Sequence, residues 1–131
     1  MSTSEQLAPP AQSRTTMAIA ICRIDRLTPN RGVAALVHGT AVAVFLLDDG
    51  SLHAVDNIDP VSGASILSRG LIGDVDGLAT VASPMYKQRF ELSTGRCLDL
   101  ADVAIGVHDA FVDDGWIHVR LGVPTWSTRS S

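Results

Sequence analysis

Residues 55–70, VDNIDPVSGASILSRG, interrupt a chain that otherwise reads as short β-strands. They follow residues 41–55, AVAVFLLDDGSLHAV, a segment that alternates as strands do and turns at a central Asp-Asp-Gly-Ser, which predicts a β-hairpin. The stretch itself is rich in Asn, Asp, Pro, Ser and Gly and shows neither the period of a strand nor that of a helix. A loop this long within a small domain is typically functional.

Outside this loop the sequence predicts strands and tight turns. A second irregular segment, residues 82–90 with the sequence ASPMYKQRF, carries Pro84 and interrupts two further strands. No window of a dozen residues has a helical apolar stripe. The pattern therefore predicts eight to ten short strands in a small antiparallel β-sandwich or barrel, interrupted by these two loops. Expected strands cover residues 17–24, 32–39, 40–55, 78–83, 88–98 and 107–121, with turns at 39–40, 48–51, 93–95 and 113–115.

Composition indicates one globular domain with two polar ends. The chain has 131 residues, of which 46% are hydrophobic and 18% charged, and its net charge of −4 gives no electrostatic basis for binding nucleic acid. No apolar run approaches the ~18 residues of a membrane helix, and the first residues lack the features of a secretory signal, so we expect a cytoplasmic protein. We expect a disordered lead at residues 1–16, a domain at 17–121 and a tail at 122–131, where Trp126 is the only large anchor.

The two loops resemble the cluster-binding loops of Rieske iron–sulfur domains, which carry Cys-x-His in the first loop and Cys-Pro-x-His in the second. The resemblance implies a Rieske-like antiparallel β-sandwich or barrel with both loops at its tip. The frames are kept here, but all four ligand positions differ. Asn57 and Asp59 stand at the first Cys and His, and Ser83 and Tyr86 stand at the second pair. Residues of the frame that remain in place are Pro84, Phe90, Thr94 and Gly95.

This combination resembles the small subunit of cytoplasmic NAD(P)H-dependent nitrite reductase, a Rieske-like family without the cluster motif. The resemblance covers residues 17–121. It implies a large-subunit partner that carries FAD, an iron–sulfur cluster and siroheme and reduces nitrite to ammonium in nitrate assimilation. This chain would hold no cofactor and would dock on that partner, either stabilising it or completing the path of substrate or electrons. The alternative is a solitary Rieske-like domain that binds a ligand or acts as a scaffold.

The donor chemistry of the loops agrees with the missing motif. A Rieske cluster needs two thiolates and two imidazoles, whereas Asn, Asp, Ser and Tyr supply only oxygen or amide groups. A single carboxylate is also too little charge for a dedicated Mg²⁺ or Ca²⁺ site. We therefore expect no metal, no cofactor and no catalytic residue in this chain, and a ferredoxin is disfavoured. The two cysteines, Cys22 and Cys97, are expected to be reduced and buried, and the histidines, His38, His53, His108 and His118, to be ordinary strand or turn residues.

Two expectations concern the tip. The loops should be joined by hydrogen bonds from Tyr86 and Asp59, each to the opposite loop or its backbone. The partner should bind at residues 57–70 and 83–89, although the sheet face or the tail around Trp126 could replace that surface. Within this surface the expected anchors are Met85 and Tyr86, and the expected cationic rim is Arg69, Lys87 and Arg89.

Overall fold

A computed structural model describes residues 17–122, and within this range the backbone forms nine β-strands and two short 3₁₀ turns. The expected all-β fold is therefore confirmed. The strands are β1 Ile19–Arg23, β2 Gly32–Val37, β3 Thr40–Leu46, β4 Leu52–Asp56, β5 Leu71–Val75, β6 Leu78–Ala82, β7 Arg89–Glu91, β8 Val107–Asp113 and β9 Trp116–Arg120. The 3₁₀ turns are Ile24–Arg26 and Leu67–Arg69. No helix in residues 17–122 is long and apolar enough to cross a bilayer.

The strands form two antiparallel sheets. The larger sheet has the order β1-β9-β8-β4-β3-β2, and the smaller has the order β5-β6-β7. Side chains of both edge strands, Val37 of β2 and Ile19 of β1, contact one core cluster, so the larger sheet curls around it as a barrel. This cluster also contains Leu27, Val42, Val44, Ala54, Ile117 and Val119.

A second core lies on the other side of β3 and β4, between the larger sheet, the smaller sheet and the long loop. Strand alternation explains the division, because Val42 and Val44 face the barrel interior while Ala43 and Phe45 face this second core. Its remaining buried members are Leu47, Val55, Leu67, Val81, Phe90, Leu92, Cys97 and Ile105. Leu67 anchors the long loop in it, and Phe90 anchors the strand after the second loop.

Three two-residue hairpin turns have positive φ at both central positions, which matches the right-handed twist of the flanking strands. They are His38–Gly39, Asp76–Gly77 and Asp114–Gly115. The first corrects the expected turn at residues 39–40, since Thr40 already belongs to β3 and pairs with Val37. The second joins β5 to β6. Strand β5 was missed, although the Asp-Gly pair at its end is a hairpin signal.

Candidate functional site

The tip consists of the first loop, residues 57–70, and the second loop, residues 83–88. Asn57 organises the first loop from within. Its side-chain nitrogen donates to Ser65 Oγ at 2.8 Å, and its side-chain oxygen accepts from the backbone N–H of Ser68 at 2.6 Å. Its backbone carbonyl accepts from both Ile66 and Leu67. A short amide side chain therefore holds the loop closed at the position where the resembled family has its first cysteine.

Asp59 joins the two loops. Its side chain is fully buried, and Oδ2 accepts a hydrogen bond of 2.7 Å from Ser83 Oγ. Oδ1 accepts from Gln88 Nε2 at 2.8 Å and from the backbone N–H of Val61 at 2.9 Å. Buried carboxylates are costly unless they are hydrogen-bonded, and three donors satisfy this one. The contacts of Asp59 with Ser83 and Gln88 are called the clamp below.

Ser83 and Gln88 are held by their own loop. The backbone N–H of Ser83 donates to the Gln88 carbonyl, and that of Lys87 donates to the Ser83 carbonyl, both at 2.9 Å. Lys87 adopts a φ of 67°, so the chain reverses tightly and returns Gln88 to the interior. Gln88 was missed at the sequence level because nothing local marks a glutamine whose partner is 29 residues away.

The clamp leaves one polar atom without a partner. Gln88 is 5% exposed, and its Oε1 is buried and has no hydrogen-bond partner within the described residues. Such an acceptor costs free energy in the interior. The side-chain nitrogen of Gln88 donates to Asp59, and this hydrogen bond fixes the orientation of the amide so that its oxygen has no donor within the described residues.

Tyr86 is not part of the clamp. The expectation that its phenol joins the loops is wrong, because the side chain is 58% exposed and makes no hydrogen bond to residues 17–122. Residues 84–86 form an exposed turn, and Ser83 and Gln88 on either side of it contact Asp59 instead. Met85, 53% exposed, lies beside Tyr86 on the outer surface.

Arg89 is not a free charge on the rim. Its Nε and Nη2 donate to the two carboxylate oxygens of Asp99 at 3.0 and 2.7 Å, and its backbone N–H also donates to Asp99. The hydrogen bonds from Arg89 lower the pKa of Asp99 from its usual 3.8 to about 2. Arg69 and Lys87 are exposed, and neither forms an ion pair with another described residue. The expected cationic rim is thus reduced to these two side chains.

A partly buried pair of side chains, Asp56 and His108, lies next to the first loop. Asp56 Oδ1 lies 2.9 Å from His108 Nε2, and Oδ2 accepts from the backbone N–H of Gly106 at 2.8 Å. Burial acts to raise the pKa of Asp56, but the hydrogen bonds from His108 and Gly106 outweigh it and leave the pKa below its ordinary value. The sequence predicts only an ordinary strand or turn residue at His108, because its partner Asp56 is 52 residues away.

His53, in contrast, carries no catalytic geometry. Its Nε2 lies 3.2 Å from Ser51 Oγ, but the Ser51 hydroxyl donates to Asp49 at 2.6 Å. The imidazole must therefore donate to the hydroxyl rather than accept its proton, so it does not activate the serine. Burial lowers the pKa of His53, and the charge of Asp49 opposes this effect only in part.

The residues at the tip do not fit a 2Fe–2S cluster. Asn57, Asp59 and Ser83 are engaged in hydrogen bonds, and none of them supplies the thiolate or imidazole that such a cluster needs. Cys97 packs in the second core and Cys22 against the barrel core, where burial raises the pKa of the Cys22 thiol and disfavours the ligating thiolate. No group of His, Cys, Asp and Glu in residues 17–122 has the arrangement of a metal site.

Comparison with known proteins places these features in a family. Residues 18–120 match the family model described as Rieske-like [2Fe-2S] domain. The nitrite reductase (NADH) small subunit of Salmonella typhimurium is 45% identical over 101 residues, which are 76% of this chain and 94% of that protein. A 100-residue part of the Klebsiella oxytoca nitrite reductase [NAD(P)H] large subunit is 38% identical and covers 76% of this chain but 10% of that protein.

Solved structures give the same relation. A crystal structure from Mycobacterium tuberculosis, of a chain assigned as NADH-dependent nitrite reductase small subunit, is 47% identical with a TM-score of 0.78. The match covers 82% of this chain and 97% of that one. The ferredoxin of carbazole 1,9a-dioxygenase from Nocardioides aromaticivorans is 25% identical with a TM-score of 0.69 over 81% of this chain and 99% of the ferredoxin. The fold is thus shared with ferredoxins of dioxygenases.

Proposed function

The chain belongs to the Rieske-like [2Fe-2S] domain family and, within it, to the small subunits of NADH-dependent nitrite reductase, and on this premise we propose that it is the non-redox docking subunit of that complex. It is a component of an oxidoreductase and contributes no electron carrier of its own. The large subunit takes electrons from NAD(P)H through FAD, an iron–sulfur cluster and siroheme and reduces nitrite to ammonium. The complex serves nitrate and nitrite assimilation in the cytoplasm.

The observation that carries this proposal is the clamp. At the place where a Rieske carrier exchanges electrons through its cluster, Asp59 instead receives hydrogen bonds from Ser83 and Gln88. A buried carboxylate whose hydrogen bonds are satisfied holds together the segments that donate to it, and in the clamp only Gln88 Oε1 lacks a partner within the described residues. The clamp thus preserves the shape of the two loops without a redox centre, and a fixed surface is the property that docking requires.

One observation supports association with the large subunit, and a second supports docking through the tip. The Klebsiella oxytoca large subunit contains a segment that is similar to this chain, so in that protein the two parts are covalently joined. The tip also exposes large apolar side chains that a partner could bury, and aromatic and Met residues are enriched at interfaces. These are Ile58 at 46%, Val61 at 45%, Met85 at 53% and Tyr86 at 58% exposure.

Co-purification tests the proposal. The full-length tagged chain should capture a large subunit that carries flavin and siroheme absorption, and the mixture should reduce nitrite with NADH or NADPH. A solitary ligand-binding or scaffold domain would capture no such protein. Failure of the wild-type chain to bind the purified large subunit at micromolar concentration contradicts the proposal.

The docking surface is tested by charge reversal. The double variant Arg69→Glu/Lys87→Glu should weaken binding to the large subunit and reduce the salt dependence of the remaining affinity. The matched control is Arg26→Glu/Arg31→Glu, which reverses two exposed arginines at the opposite end of the barrel. We propose residues 17–121 as the docking domain, so removal of residues 1–16 or 123–131, which keeps the N–H of Gly122 on His108, should leave binding intact. Loss of binding on removal of residues 123–131, with the tip variant binding normally, would assign docking to the tail.

A further inference from the structure

A cavity of ≈ 390 Å³ opens beside the first loop, at the same end of the barrel as the tip. It is lined by residues 39–41 at the start of β3, by Asp56 at the end of β4, by Ile58 and Pro60 of the first loop, and by Ala104 and Ile105 ahead of β8. Apart from Thr40 and Asp56, these residues carry no polar side chain. The site is therefore an apolar recess with one carboxylate in its wall, called the Asp56 cavity below.

The carboxylate brings an unbalanced negative charge to this wall. His108 Nδ1 accepts a hydrogen bond of 2.9 Å from the backbone N–H of Gly122. The ring proton must then reside on Nε2, which donates to Asp56, so the imidazole is neutral. No Lys or Arg of residues 17–122 forms an ion pair with Asp56. The pair of Asp56 and His108 thus carries one net negative charge.

Asp56 keeps capacity for another donor. Each carboxylate oxygen has two acceptor sites, and His108 and Gly106 occupy one on each oxygen. The side chain remains 36% exposed. A charged donor that reaches it in this apolar recess gains a charge-assisted hydrogen bond in a region of reduced dielectric constant.

We infer that the Asp56 cavity receives one cationic side chain, an arginine or a lysine, from the large subunit. The apolar walls accommodate the methylene stem of such a side chain, and Asp56 accepts from its charged head. An anionic group would be repelled, and a neutral apolar group would leave the carboxylate facing it without compensation. Since Ile58 and Pro60 belong to the first loop, the cavity is continuous with the proposed docking surface, and the inference rests on that proposed function.

Affinity for the purified large subunit tests the inference, with the full-length chain measured by biolayer interferometry. Asp56→Asn removes the charge, and Ala104→Met fills the cavity from an exposed position without changing the pair of Asp56 and His108. Each variant should weaken binding by roughly tenfold or more, as expected for removal of a buried charge pair. Matched controls are Asp113→Asn, at the far end of β8, and Ala34→Met, on the exposed face of β2, and both should bind as the wild type does.

The outcomes separate the two proposals. If the wild-type chain binds the large subunit and both cavity variants bind equally well, the inference is overturned and docking stands. If the wild-type chain does not bind, the proposed function fails and the inference fails with it. Thermal unfolding shows whether each variant is folded. If Asp56→Asn does not fold, the affinity of Ala104→Met provides the test.

A small-molecule probe tests the chemistry of the cavity without the partner. Ethylguanidinium chloride, titrated at millimolar concentration into the ¹⁵N-labelled chain, should shift the amide signals of residues 39–41 and 104–106. N-ethylurea has nearly the same shape and no charge, so it should produce far smaller shifts. Equal shifts with both compounds, or unchanged shifts with Asp56→Asn, would show that the carboxylate is not the recognition group and would overturn the inference.

Discussion

Asp59 is a buried carboxylate that is balanced by hydrogen bonds rather than by a cation. Within residues 17–122 no Lys or Arg forms an ion pair with it, and its donors are Ser83, Gln88 and the backbone of Val61. Each donor therefore matters, because loss of one leaves part of a buried charge without compensation. The tip depends on these few atoms in the way that a cluster-bearing tip depends on its metal ligands.

Removal of one donor should destabilise the domain. We expect Ser83→Ala to lower the free energy of unfolding by about 1 to 3 kcal/mol, because Asp59 Oδ2 loses its partner in the interior. The control is Tyr86→Phe, which removes the hydroxyl of an exposed side chain and should change the free energy of unfolding by less than about 0.5 kcal/mol. Urea unfolding monitored by circular dichroism measures both. A larger effect of Tyr86→Phe than of Ser83→Ala would contradict the role of the clamp.

The ion pair of Arg89 and Asp99 should appear in the acid response of stability. The pKa of Asp99 is lowered to about 2 in the folded chain, whereas its ordinary value is 3.8. The folded state thus binds this proton more weakly than the unfolded state does, so the contribution is full above about pH 4 and is lost as the pH falls toward 2. Asp99→Asn removes the titrating carboxyl group of this pair, so the variant should show a smaller decline of Tm between about pH 4 and pH 2 than the wild type does. An identical decline in the wild type and Asp99→Asn would show that the pair does not contribute.

At the scale of elements, the turns position the loops. The turn after β7 is the clearest case, because Gly95 has a φ of 80° and a Cβ there would overlap the backbone oxygen of Ile105. The backbone N–H of Ile105 donates to the Gly95 carbonyl at 2.8 Å, so this turn attaches the segment ahead of β8 to the smaller sheet. Glu91, accepting from Ser93 and Thr94, closes the same turn.

Two glycines with the same backbone conformation should respond differently to alanine. Gly95→Ala adds both conformational strain and a clash with Ile105, so we expect it to destabilise the domain by about 3 kcal/mol or more. Gly77 has a φ of 85° but open space around it, so Gly77→Ala should cost only about 1 kcal/mol. Chemical unfolding compares the two variants. Equal losses in the free energy of unfolding would mean that the backbone around Gly95 and Ile105 shifts easily to accommodate the added Cβ.

At the scale of the whole molecule, a Rieske-like frame is retained without the chemistry of its cluster. Residues 18–120 match the Rieske-like family model and form two antiparallel sheets, while the donor atoms at the tip are oxygens and amides. Function therefore follows from the site rather than from the fold, since fold does not determine function.

Attempted cluster assembly tests whether this chain can hold an iron–sulfur cluster. We expect the full-length chain to remain colourless after anaerobic incubation with ferrous iron, sulfide and dithiothreitol, because the tip offers neither thiolates nor imidazoles. Iron and sulfide analysis and visible absorption spectroscopy measure the result, and a dioxygenase ferredoxin treated in parallel is the positive control. Stoichiometric iron and sulfide with Rieske-type absorption in this chain would contradict the expectation.

Local sequence patterns were sufficient to predict the class of fold and the chemical character of the tip. Alternation and turn residues act over a few positions, so they predicted the all-β architecture, most strands and the two irregular loops. The absence of Cys and His from residues 57–59 and 83–86 excluded the Rieske ligand set without any coordinates. The frame residues around these positions were sufficient to indicate the family.

Tertiary structure decided which side chains meet. The contacts of Asp59 with Gln88, of Arg89 with Asp99 and of Asp56 with His108 span 29, 10 and 52 residues. None of them leaves a local signal, because the direction of a loop side chain depends on how the loop packs against distant elements. For the same reason Tyr86, which the sequence placed at a ligand position facing inward, lies on the surface. The energetics of buried polar groups select these partners, and burial exists only once the two sheets have assembled.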